Sequence, residues 1–232
     1  MRHEQDPPGP SASAPLPVPP PRERADAARN RAAILAAAAR LFAERGADDV
    51  SLDEVAAAAG VGKATLFRRF GDRAGLAAAL LADRERALQE AILHGPPPLG
   101  PGAATCDRLM AFIDAYVDHL IQHLDLVRTS ETATTGARYR AQAYRFWHHH
   151  VAALLDVVPD PQATAHGLLA TLSAEHISAL LPELGEHRLR SCVTHQARIT
   201  VQQPMNGTSP EASGERSGQP RGRVRVAPWS QP

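Results

Sequence analysis

The sequence predicts an all-α protein: an N-terminal three-helix domain built around a helix-turn-helix, followed by a larger helical C-terminal domain. Three observations carry this expectation. Apolar residues recur at three- and four-residue spacing through the middle of the 232-residue chain, and no period-2 run of useful length interrupts them. Glycine and proline clusters cut that pattern into helix-sized pieces. Residues 51–73, SLDEVAAAAGVGKATLFRRFGDR, read as two short helices joined by a tight turn.

Taken in order, residues 1–24 form a Pro-rich arm. The eight prolines among its first 21 residues, Pro7 to Pro21, predict disorder or polyproline II. Helix 1 covers about 25–45, with Ile34, Leu35, Ala38, Leu41 and Phe42 on one face, and stops at Gly46. Ser51 is the N-cap of helix 2, and Glu54 completes a capping box. Leu52, Val55, Ala56 and Ala59 are its apolar stripe. Gly60 ends it in a left-handed conformation that costs a residue without Cβ little. Val61 plugs the corner, and Leu66 and Phe70 anchor helix 3 to the shared core. Lys63, Ala64, Thr65, Arg68 and Arg69 are left facing outward.

Gly71 and Asp72 stop helix 3 and cap helix 4, expected over about 73–93 through Leu76, Leu80, Leu81, Ala87 and Leu88. The run His94–Gly102 is a hard break. Further helices are expected at about 104–123, 125–133, 137–157, 162–182 and 186–201, separated by Gly136, by Pro159 and Pro161, and by Pro182–Gly185. Residues 204–232, rich in Pro, Gly and Ser, read as a disordered tail.

Formal net charge is zero, so affinity for a polyanion must come from a local patch. Lys63, Arg68, Arg69 and Arg73 supply one, in a segment whose only acid is Asp72. A short basic second helix of this kind suits the major groove of double-stranded DNA. Cys106 and Cys192 have no metal-type spacing and read as small core residues kept reduced. With no apolar signal core and no run near the ~20 residues of a membrane span, the chain is expected in the cytoplasm.

The histidines invite a metal site: His148, His149 and His150, with His119, His123, His166, His176, His187 and His195. His119 and His123 stand four apart on one predicted helix, but no H-E-x-x-H arrangement accompanies them. Partly buried histidines are expected, with no metal and no cofactor. An all-α metal-dependent hydrolase is the rival class, and it needs carboxylate partners that the sequence does not offer.

The pattern A-x-x-L-F-x-x-x-G, then V-S-L-x-x-V-A-x-x-A-G-V and T-L-F-x-x-F, resembles the TetR family of bacterial transcriptional regulators across residues 29–81. The resemblance implies a homodimer that sets its recognition helices in successive major grooves of an operator. Residues 25–75 would be the DNA-binding domain. Residues 76–203 would supply dimer contacts and a small-molecule pocket whose filling shifts helix 4. A repressor released from a palindromic operator by an unidentified ligand follows; a dimeric regulator without a ligand is the alternative.

Carried over by position, Thr65 and Phe67 approach the DNA, Lys63 and Arg68 meet base edges or phosphates, and Ala64 lies on the same face. Arg69 fills a place often held by His, and Arg73 one often held by a phosphate-gripping Lys. Ser51 caps helix 2, whose amides can receive a phosphate. Phe67 stands where Tyr is common, Gly62 where Ser is, and Gly75 where Glu is, each removing a polar group. In the last helix Arg188, Arg190, His195, Gln196, Arg198, Gln202 and Gln203 dilute Leu189, Val193 and Ile199. Helical phase nominates Phe112, Tyr116, Tyr144, Trp147, Leu169, Leu172 and His176 as pocket residues, with the polar segment Thr129–Thr135 as an entrance lining.

Overall fold

A computed structural model describes residues 21–202, and the expectations for the arm and tail otherwise fall outside them. Among the described residues there are ten helices and no strand. The order is α1 (Pro21–Arg45), α2 (Leu52–Ala58), α3 (Lys63–Phe70), α4 (Arg73–His94), α5 (Thr105–Gln122), α6 (Leu124–Thr132), α7 (Ala137–Arg140), α8 (Gln142–Leu154), α9 (Pro161–Ala170) and α10 (Ala174–Gln202). Helix α1 starts four residues earlier than expected, inside the stretch assigned to the arm. Pro21 takes its first position, where the missing N–H is no loss and the ring's φ suits a helix.

Two apolar clusters form. The first gathers Ile34, Ala38, Phe42, Val50, Val55, Leu66 and Leu76 from α1 to the start of α4. The second is larger and centres on Phe112, Tyr116, Trp147, Leu169 and Val193 from α5 to α10. Helix α4 serves both: Leu76 sits in the first cluster, Leu81 and Ile92 in the second. A rigid rod of 22 residues thus joins the helix-turn-helix to the second core.

Three expected helices differ. The stretch 137–157 is interrupted at Ala141, whose extended backbone (φ −62°, ψ 137°) separates α7 from α8. In one unbroken helix Arg138 and Tyr144 would lie some 120° apart around the axis; the break lets both be buried. The stretch 162–182 is interrupted at Thr171–Ser173, between α9 and α10. Helix α10 then runs through Pro182 to a kink at Gly185 (φ 72°, ψ 160°), where two helices had been expected. Beyond it Leu189, Val193 and Ala197 are buried within the chain's own core. Arg190 fastens this half of α10 to α5, donating to the Asp114 carbonyl at 3.0 Å and to Asp118 Oδ1 at 2.5 Å.

Candidate nucleic-acid interface and effector chamber

Local chemistry builds the helix-turn-helix. The Ser51 hydroxyl accepts from the Glu54 amide (3.2 Å), and Glu54 Oε2 accepts from the Ser51 amide (2.8 Å), closing the capping box. The Ser51 amide first, then the Ser51 hydroxyl donating to Oε2 at 2.8 Å, then Arg45 at 2.8 Å hold the Glu54 carboxyl down at about 2. Helix α2 ends in a Schellman motif: the Gly60 amide donates to the Ala57 carbonyl and the Val61 amide to the Ala56 carbonyl. Gly60 has φ 65°, the left-handed value that motif requires. Leu66 is fully buried beneath α3, and Arg31 lies over the Phe70 ring at 5.9 Å.

The turn from α3 to α4 is tighter still. Gly71 (φ 75°, ψ −77°) sits at the centre of a γ-turn in which the Asp72 amide donates to the Phe70 carbonyl at 2.9 Å. Asp72 caps α4 through the Gly75 amide at 2.8 Å. A Cβ on Gly75 would stand 1.9 Å from the Phe70 oxygen, so this turn excludes any other residue there. The departure from Glu at Gly75 therefore belongs to the turn geometry.

Of the expected DNA-facing residues, Ser51, Lys63, Ala64, Phe67, Arg68 and Arg69 are exposed, and Thr65 and Arg73 are half-buried. Arg68 and Arg69 make no hydrogen bond or ion pair among the described residues. Lys63 pairs with Asp53 of α2 at 2.7 Å and lies 5.7 Å from the Phe67 ring centre. Arg73 turns inward and donates to the Asp48 carbonyl at 2.9 Å. The four-cation patch thus reduces to two uncommitted arginines plus two cations already engaged within the chain.

The pocket candidates divide. Phe112, Tyr116, Tyr144, Trp147, Leu169 and Leu172 are buried; His176 is exposed on the first turn of α10. In one helix over 162–182 it would share a face with Leu169 and Leu172, and the break at Thr171–Ser173 turns it outward. Tyr116, Tyr144 and Trp147 line an inner cavity of about 30 Å³ with Glu85, His119, Glu131 and Arg138. Phe112 stacks behind Tyr116, ring centres 5.5 Å apart. Leu169 and Leu172 contribute their carbonyls, which accept from Arg138 at 2.8 and 3.2 Å. Arg138 also donates to Glu131 at 2.6 Å, a buried ion pair that the sequence analysis missed.

An outer cleft of about 400 Å³ is lined by Thr132, Thr134, Thr135 and Tyr139 and shares Glu131 and Arg138 with the inner cavity. Of the segment Thr129–Thr135, Glu131, Thr132, Thr134 and Thr135 line this cleft. Among the described residues no group of three or more potential metal ligands is gathered, and the His119 and His123 rings lie 5.4 Å apart without a third partner.

Residues 34–80 match the family model for bacterial regulatory proteins of the tetR family. That match covers α1 from Ile34 through the start of α4, the helix-turn-helix included. Solved structures carry the fold across both clusters. A TetR-family regulator from Syntrophomonas wolfei is 15% identical, with a TM-score of 0.58 over 78% of this chain and 99% of its own. One from Rhodococcus sp. is 24% identical, with a TM-score of 0.54 over 75% and 100%. A transcriptional regulator from Saccharomonospora viridis, solved in complex with choline, is 21% identical, with a TM-score of 0.52 over 74% and 96%. No curated protein sequence matches the chain. No described helix is long and apolar enough to cross a membrane.

Proposed function

We propose that this chain is a DNA-binding transcriptional regulator of the TetR family: a cytoplasmic, homodimeric repressor without catalytic activity, released from a palindromic operator when a small molecule enters the second domain. The observation that carries the DNA-docking part is the pair Arg68 and Arg69, exposed and uncommitted on a short helix fixed at both ends by glycine turns. One of them reads a base edge and the other positions the protein on phosphate, with Thr65, Ala64, Phe67 and Lys63 on the contact face and Ser51 presenting the α2 amides. Arg73 reaches a phosphate by exchanging its bond to Asp48. Residues 25–75 form the DNA-binding domain and 76–203 the effector and dimerisation domain, a division supported by Leu76 packing in the first cluster and Leu81 in the second.

Release follows from α4 being common to both cores: a ligand that repacks α4 against α6 moves the reading head. The ligand acts only through its different affinity for the bound and released shapes. Half-sites should lie about 34–36 Å apart, one helical turn, or at a multiple. The test is selection of bound genomic fragments followed by mobility shift with Arg69→Ala and Thr65→Ala. Weakened binding by folded variants supports this docking; unchanged binding in both overturns it. Sedimentation of the free protein checks the dimer.

A further inference from the structure

The inward stripe of α4 in the second core reads Leu81, Glu85, Leu88, Ile92, so a carboxylate occupies a position that spacing reserves for an apolar side chain. Glu85 makes no hydrogen bond or ion pair among the described residues, and it faces the inner cavity. The other charges of that cavity are spoken for. Glu131 gives one oxygen to Arg138 and the other to the Ala174 amide at 2.9 Å. Arg138 is held by Glu131 and the two α9–α10 carbonyls. His119, pushed down to about 4 by burial and by His123, brings no positive charge at neutral pH.

One further group of the cavity is unsatisfied: the buried Arg138 Nε has no hydrogen-bond partner. The hydroxyl of Tyr116, a residue only 3% exposed, makes no hydrogen bond among the described residues. Tyr116 and Trp147, ring centres 5.6 Å apart, form an aromatic wall beside Glu85. A single water would satisfy Tyr116 and Arg138 Nε, yet it could not neutralise Glu85; only a proton or a cation does that.

We propose that this chamber receives the ammonium head of a small organic amine, with Glu85 as counter-ion, Tyr116 as acceptor and Trp147 as the adjoining aromatic face. The inner cavity, about 30 Å³, fits a group the size of a water molecule, as –NH₃⁺ is. The outer cleft, about 400 Å³, shares Glu131 and Arg138 with the inner cavity and has room for the body of the molecule once that ion pair parts to admit it. Burial first, and Glu131 second, push the Glu85 carboxyl up to about 7, so the empty site holds a proton that the incoming cation displaces. The other groups around it are Tyr116 and His119 of α5, Glu131 of α6, Arg138 of α7 and Tyr144 of α8. The assignment deepens the ligand-responsive reading above and rests on it for its regulatory meaning.

The test uses the full chain without DNA and n-butylammonium as probe, with n-butanol as the uncharged match and butyrate as the anionic one. Titration calorimetry in two buffers of different ionisation enthalpy counts protons, and tryptophan fluorescence reports on Trp147. The amine should bind in preference to both matches and release a fraction of a proton near pH 7. Glu85→Gln should weaken it about ten-fold or more and abolish the release, with Tyr116→Phe as the second variant. Equal binding of butanol, unchanged affinity in both variants, or no amine binding at millimolar concentration overturns the proposal and leaves an ordered water as the occupant. Failure of operator binding would instead sink the repressor reading, and amine binding that leaves operator affinity unchanged would sink only the link between the two.

Discussion

Arg128 of α6 places its Nη2 2.5 Å from the Asp48 carboxylate, in the loop that leads into α2. The carbonyl of the same Asp48 holds Arg73 at the start of α4. One loop residue therefore joins the second core's α6 to both helices that frame the recognition helix. Glu131, which walls the inner cavity, lies nearly one turn further along α6. A ligand-driven shift of α6 would reach the reading head through this contact as well as through α4.

The Arg128–Asp48 pair is half-exposed, so its worth in folding is small, about 0–1 kcal/mol. Arg128→Ala should move the thermal midpoint by no more than a few degrees. Its effect should instead appear as faster amide hydrogen exchange in the loop 46–50. Unchanged exchange there would remove the loop from any coupling route.

Arg68→Ala and Arg69→Ala should separate on DNA. The base-reading arginine costs about 1–3 kcal/mol on the operator and relaxes preference at one base pair. The phosphate-bound one lowers affinity for all sequences and reduces the salt slope by about 0.9. Arg73→Ala should lower the slope by about as much but cost less affinity, because Arg73 gives up its bond to the Asp48 carbonyl to reach DNA. Affinities across a salt series decide it.

Glycine substitutions should part just as clearly. Gly75→Ala drives a Cβ into the Phe70 carbonyl and should cost about 1–3 kcal/mol, measured by chemical denaturation. Gly62→Ser meets open space at an N-cap without a side-chain bond and should stabilise by a few tenths of a kcal/mol. Equal tolerance at both sites would mean that the α3–α4 turn is looser than described.

Glu131→Ala strands Arg138, 7% exposed at the side chain, beside two carbonyls. It should cost about 3 kcal/mol. Replacing both partners with apolar residues of similar volume should cost markedly less in the same denaturation experiment, since no buried charge is left without a partner.

Two carboxyls should write opposite signs into stability against pH. Glu54 is depressed to about 2, so its contribution is present above the unfolded value near 4.5 and is lost as pH falls toward 2. Glu85 is raised to about 7: the folded state keeps a proton that the unfolded chain has released, so stability drains as pH rises from about 4.5 to 7. His119, depressed to about 4 by burial, works against Glu85 over most of that window. Glu85→Gln should therefore gain on wild type as pH climbs from 4.5 to 7 in a series of thermal melts, and parallel curves would refute the assignment.

What the sequence determined by itself was everything that acts within a turn or two of the chain. Ser51 with Glu54, Gly60 with Val61, and Asp72 as a cap each satisfy backbone groups a few residues away, so their roles could be read without knowing where the helices pack. The outward set on α3 followed from the same short-range phase, with Leu66 buried and Arg68 and Arg69 exposed. Only the tertiary structure decided which charges meet. Asp48 finds Arg128 eighty residues on, and Arg138 reaches Glu131 across the turn at Gly136, because helix breaks reset the direction in which side chains point. The break at Thr171–Ser173 turned His176 to solvent for that reason. Glu85 stood in plain view on an apolar stripe, but its meaning needed α5, α6 and α7 folded around it to strip away water and leave its charge without a partner.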